Sequence, residues 1–189
     1  MKAAVLFEPN GKLSVETVDL ESPKKDEVLV KINSSGLCHT DWETMNGYQP
    51  VNLPAIIGHE GAGVVTEVGE GVHNVQVGDH VICGGREGMM QSFITLPYMA
   101  CSPLPKGLSF AQGASFNVAY TTAYHCLIER AQLTEKDTVL INGATGGVGS
   151  AAVEVARAVG CKMIIATGTT KEKMDVVKQL GATHVIDFA

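Results

Sequence analysis

The chain has 189 residues, 45% of them hydrophobic and 18% charged, so it holds ample material for one or two packed domains. Its formal net charge of -6 is spread without a block of like charge, which excludes nucleic acid or an anionic membrane as the expected partner and leaves a small-molecule substrate. The five cysteines, Cys38, Cys83, Cys101, Cys126 and Cys161, are odd in number and contain no Cys-x-x-Cys pair, which argues against a disulfide framework; four of them read as small hydrophobes.

The apolar start, Met1 to Phe7, gives way at once to Glu8-Pro9-Asn10-Gly11 and is too short for a signal peptide or a membrane span, so a cytoplasmic location is expected. Up to about Pro105 the apolar residues alternate or form brief runs: Ala3 to Phe7, Val28 to Ile32, Gly63 to Val68, His80 to Ile82 and Ser92 to Leu96. Asn10-Gly11 signals a hairpin, and this first part is predicted to be mostly β. From Ser109 the period lengthens. The pattern predicts a helix over Ala111 to Ala131, a strand over Thr138 to Asn142, a helix over Gly147 to Val159 and a strand over Lys162 to Thr167. A further helix over Thr170 to Leu180 ends at Gly181, and His184 to Phe188 supplies a third strand. This α/β alternation is one half of a doubly wound parallel sheet.

Between the first of those strands and its helix lies Asn142-Gly143-Ala144-Thr145-Gly146-Gly147-Val148-Gly149. A strand, a tight glycine loop and a helix start place unpaired N–H groups where a pyrophosphate sits. Gly146 is expected to make the turn, Gly147 to admit the phosphate and Gly149 to let helix and strand approach. At the end of the next strand, where an acid would accept the ribose hydroxyls of NAD, stand Gly168 and Thr169, followed by Thr170, Lys171, Glu172 and Lys173. Hydroxyls and lysines without a strand-end carboxylate favour a 2′-phosphate, hence NADP(H).

A second constellation is Cys38-His39-Thr40-Asp41 with Gly58-His59-Glu60. A thiolate and an imidazole are good zinc ligands, and Glu60 offers a third, either ligating directly or through water or supporting the ligands from behind. Together with Gly61-Ala62-Gly63-Val64-Val65, Val77-Gly78-Asp79-His80-Val81 and the glycine loop, these residues resemble the medium-chain dehydrogenase/reductase superfamily over essentially the whole chain. The resemblance implies a GroES-like catalytic domain over residues 1–125 and the first half of a Rossmann domain over 126–189. It implies that Cys38 and His59 hold a catalytic zinc, that Thr40 relays the substrate proton, and that His39 contacts the cofactor pyrophosphate. Asn117 and Thr122 would lie along the cofactor, beside Gly146, Gly147, Val148, Gly149, Gly168, Thr169 and Lys173.

Two departures divide the functional expectation. Val118 stands where zinc alcohol dehydrogenases of this superfamily have a further ligand, and no four-cysteine lobe lies between Val81 and Phe93, so no structural zinc is expected. These features and the strand end favour an NADP(H)-dependent oxidoreductase that transfers hydride to a quinone or an α,β-unsaturated carbonyl. The alternatives are a zinc-dependent alcohol dehydrogenase and a non-catalytic nucleotide-binding module. By the same resemblance the chain is expected to be truncated at its C-terminus, leaving the strand that begins at Thr138 as an open apolar edge for a homodimer or another partner.

Overall fold

A computed structural model of the chain describes residues Met1–Phe188, so the last residue of the expected second domain, Ala189, lies outside the described residues. The chain divides into two compact units, Met1–Asn117 and Val118 onward. The boundary expected from sequence, after residue 125, falls inside the second unit.

The first unit is built on alternating apolar residues. Strands β1 (Lys2–Leu6), β2 (Ser14–Thr17) and β4 (Ala55–Ile56) form one sheet in the order β2-β1-β4, both pairs antiparallel. Asn10, with φ +62, sits in the connection between β1 and β2, where the hairpin signal placed it. The larger sheet has the order β7-β3-β5-β6-β8, from β3 (Glu27–Ser35), β5 (Glu60–Val68), β6 (His80–Gly84), β7 (Phe93–Pro97) and β8 (Cys101–Pro103). Its core is filled by Val28, Val30, Val65, Val81, Met89 and Leu96, all buried. The long central pair β3/β5 carries register shifts at Leu29/Val30 and Ile32/Ser34. Such bulges bend a strand and re-aim its end. That end leads directly into helix α1 (His39–Met45), which the alternation pattern did not reveal.

The single helix predicted over Ala111 to Ala131 is broken. Ser109 caps α2 (Phe110–Ala114) by accepting the Gln112 N–H, and the Ser115 hydroxyl donates to the carbonyls of Ala111 and Gln112 as that helix ends. Helix α3 (Phe116–Tyr124) follows and runs into a π-helical turn, His125–Arg130.

The second unit is a parallel sheet in the order β11-β10-β9, made of β9 (Thr138–Ile141), β10 (Met163–Gly168) and β11 (His184–Asp187). Helices α4 (Gly147–Val159) and α5 (Lys171–Leu180) cross between them. Gly160 and Gly181, both at positive φ, close these helices. The core comprises Val139, Ile141, Val153, Ala156, Ile164 and Val177. As the resemblance led one to expect, β9 occupies an edge among the described residues, and its Leu140 is 56% exposed. Three of the four cysteines read as core fillers, Cys83, Cys101 and Cys161, are buried; Cys126 departs from that expectation, because the π-helical turn turns it to solvent.

Burial ranks the strand residues. Ile164→Ala, at 1% exposure, should lower the unfolding free energy by about 2–5 kcal/mol, whereas Leu140→Ala on the open edge should change it by less than about 1 kcal/mol; denaturant titration measures both.

Candidate functional site

In the first unit the ends of β3 and β5 bring together two segments distant in sequence. Ser35 pairs with Gly61 across the ladder, and the Gly36 N–H donates to the Glu60 carbonyl at 2.9 Å. The chain then enters α1, so Cys38 is delivered beside His59 and Glu60. Ligand atoms of these three side chains all lie within 4.8 Å of one another. Small side-chain rotations bring that spacing to the roughly 3.5 Å between neighbouring donors of a tetrahedral zinc. A sulfur, an imidazole nitrogen and a carboxylate oxygen form the donor set of a catalytic zinc that keeps one position open, so the residues fit the metal.

Behind them stands Asp41, 2% exposed and the most deeply buried charged residue among those described. Its Oδ2 accepts the Cys38 N–H at 2.8 Å, and its Oδ1 lies 3.6 Å from His59 Nδ1. One carboxylate therefore fixes the backbone of one donor and the ring of another, a support of the kind that orients metal-ligating histidines. Glu60 feels the same charge. Burial, and then the Asp41 carboxylate, raise its pKa, while His59 opposes them. Asp41 was quoted in the Cys-His-Thr-Asp motif without a role of its own. The signal was its spacing, because an acid three residues after the residue that opens a helix reaches back to that residue's N–H.

The Thr40 hydroxyl lies 3.8 Å from the Cys38 sulfur, within the centre. His39 does not join the donor cluster. Its side chain is exposed and packs on Trp42 at 5.1 Å between ring centroids, and Trp42 in turn approaches Tyr48 at 5.8 Å. This aromatic row, half or more exposed at Trp42 and Tyr48, was not anticipated. Asn117 closes the first unit; its side-chain nitrogen lies 3.8 Å from where a side chain on Gly84 would begin.

The second unit carries the glycine loop. The residue in the left-handed region is Gly143, φ +64, and not Gly146, which is extended at φ -88 and opens α4. The tight turn runs from Gly143 to Gly146, whose N–H donates to the Gly143 carbonyl at 3.1 Å. Gly149 has the role expected of it: a Cβ there would lie 2.4 Å from the Gly143 carbonyl oxygen. Gly147 faces open space, and Val148 is partly exposed beside it. The first-turn amides of Gly147, Val148 and Gly149 belong to the group that has no acceptor within a helix, and they sit at its positive end. The Ala144 N–H donates to the Thr167 carbonyl at 2.9 Å and the Thr167 hydroxyl to Asn142 Oδ1 at 3.1 Å, tying the loop to the end of β10.

At that strand end Gly168 is buried, and a Cβ on it would lie 2.6 Å from Thr145 Cγ2. The glycine loop itself excludes a carboxylate from this position. Thr169 is half-buried, and Lys171 and Lys173 are exposed in the first turn of α5. Thr122 is exposed on α3, which is held to α4 by a hydrogen bond between the Tyr120 hydroxyl and the Glu154 carboxylate. Burial, reinforced by that carboxylate, pushes the Tyr120 phenol up to about 12.

Two glycines separate packing from ligand approach. Gly149→Ala should destabilise the chain by about 1–3 kcal/mol through the forced shift of the Gly143 backbone, and Gly147→Ala should leave thermal unfolding within about 0.5 kcal/mol of the parent; calorimetry on both variants checks this.

The sequence profile of the Alcohol dehydrogenase GroES-like domain matches residues 24–152, and that of the Zinc-binding dehydrogenase matches residues 147–189. An S-(hydroxymethyl)glutathione dehydrogenase of Photobacterium damsela subsp. piscicida is 35% identical over 98% of this chain and 63% of its own length. Among solved structures, an NAD-dependent alcohol dehydrogenase superposes with a TM-score of 0.91 at 26% identity, covering 100% of this chain and 64% of that one. The Escherichia coli quinone oxidoreductase complexed with NADPH superposes with a TM-score of 0.86 at 27% identity, over 99% of this chain and 58% of that one. The chain thus spans 63% of the length of the curated relative it matches. With the β domain, the parallel half-sheet and both motif sets in register, the chain belongs to the medium-chain dehydrogenase/reductase superfamily of oxidoreductases.

Proposed function

We propose that the first unit is the catalytic half and the second the cofactor-phosphate half of an NADP(H)-dependent oxidoreductase that reduces a carbonyl, or oxidises the corresponding alcohol, at a zinc centre. The observation that carries this reading is the convergence of Cys38, His59 and Glu60 with Asp41 buried behind them. The expectation from sequence leaned towards a metal-free reductase; the clustered donors move the weight to the metal-assisted reaction.

When bound, zinc supplies Lewis acidity to a carbonyl or alkoxide oxygen, and the nicotinamide supplies or accepts hydride. The chain's own residues do the rest. Asp41 Oδ1, 3.6 Å from His59 Nδ1, favours the tautomer that carries the proton on that nitrogen and leaves the other free to ligate. Thr40, beside Cys38, offers a hydroxyl that holds or passes the substrate proton. The amides at the start of α4 hold the pyrophosphate, and Gly168, Thr169 and Lys173 admit a 2′-phosphate where an acid would repel it. His39, exposed at the start of α1, remains available to the cofactor.

Val118 and the missing four-cysteine lobe favour a second reading, hydride transfer from NADPH to a quinone or enal with no metal bound. Purified chain should contain close to one zinc by elemental analysis, and Cys38→Ala should abolish it. Asp41→Asn should weaken zinc affinity by about 10–100-fold. A chain that folds but takes up no zinc would transfer the assignment to the quinone reductase.

Cofactor choice is tested separately by calorimetric titration. NADPH should bind more tightly than NADH, and Lys173→Ala should narrow that preference by about tenfold, the loss of one charge-assisted contact. Binding of neither nucleotide would remove the oxidoreductase reading. The open edge of β9 is the surface on which we place a homodimer contact.

A further inference from the structure

Cys83 on β6 and Cys101 on β8 are directly opposed in the antiparallel ladder, as Cα partners. Residues so placed have Cα atoms about 4.5–5.5 Å apart, and disulfides span Cα separations of about 4.4–6.8 Å. Both side chains are buried in the core of the larger sheet, at 1% and 6% exposure, and they contact one another there. The other cysteines are placed differently: Cys38 sits among the metal donors, Cys126 is exposed, and Cys161 donates its thiol to the Thr134 carbonyl at 3.3 Å.

We propose that Cys83 and Cys101 are a dithiol–disulfide site, oxidised by a hydroperoxide and restored by a thiol reductant. One thiol of the pair, as its thiolate, attacks first. An S–O bond forms, the peroxide O–O bond breaks, and with hydrogen peroxide the departing hydroxide takes up the thiol proton and leaves as water. The sulfur of the opposed cysteine then attacks the sulfenic sulfur. The S–S bond forms, the S–O bond breaks, and a second water carries away the remaining thiol proton. Two thiols lose two electrons and two protons, and one peroxide becomes two waters.

Access follows from topology. β8 has three residues, lies at the sheet edge and, among the described residues, pairs with β6 alone, so it is the strand of this sheet that opens at lowest cost. Once formed, the bond would tie that edge to β6, whose Gly84 pairs with Glu60 on the far side.

The test uses the reduced full chain, treated with excess hydrogen peroxide, denatured, alkylated and mapped by peptide mass spectrometry. The expected product contains a Cys83–Cys101 linked peptide, two hydrogens lighter than the two separate peptides, that dithiothreitol releases. Cys161, buried but single, is the internal control and should remain alkylatable. Full alkylation of Cys83 and Cys101 after peroxide has consumed the exposed Cys126 would overturn the proposal. So would their separate conversion to sulfinic acids without a linked peptide.

Discussion

Asp41 places a carboxylate where nearly all water has been removed, and its two oxygens serve two different segments of the site. Oδ2 closes the start of α1 on the Cys38 N–H, while Oδ1 faces the His59 ring. An unpaired buried carboxylate would cost several kcal/mol. The geometry of the candidate centre and the solvation of Asp41 are consequently one problem: the acid is tolerable because Cys38 and His59 are where they are. Those two donors are in turn held in place by the acid.

The β scaffold supplies the rest of that arrangement. A cysteine that opens a helix and a histidine that precedes a strand have no reason to meet until β3 and β5 pair along their length. Register shifts in that pair steer the end of β3, and the Gly36–Glu60 hydrogen bond pins the departing chain next to the incoming one. The donors come from backbone positions fixed by a ladder, which suits them to a rigid centre better than an open loop would.

In the second unit one loop does two jobs. It turns at Gly143 so that first-turn amides of α4 are free of backbone crowding, and its Thr145 presses on Gly168 at the end of the neighbouring strand. A side chain at residue 168 would need space that Thr145 already fills, so the absence of an acid at that strand end has a packing cause.

Much of this was legible in sequence, because it depends on local rules. The 3.6-residue period of Gly147–Val159 and its closing glycine define α4 to the residue, and the strand-helix alternation gives the order β11-β10-β9. The donors Cys38, His59 and Glu60 were visible as residue types. Three features were not: the short α1, too brief for a period to show; the turn at Gly143, since a run of glycines does not say which one goes left-handed; and the facing of Cys83 and Cys101. Sequence alone determined which residue types the chain carries and the local elements that bear them. Tertiary structure decided which groups share a neighbourhood, because strand register and burial are set by pairing between distant segments, and neither Asp41's place behind His59 nor the opposed thiols exists before that pairing forms.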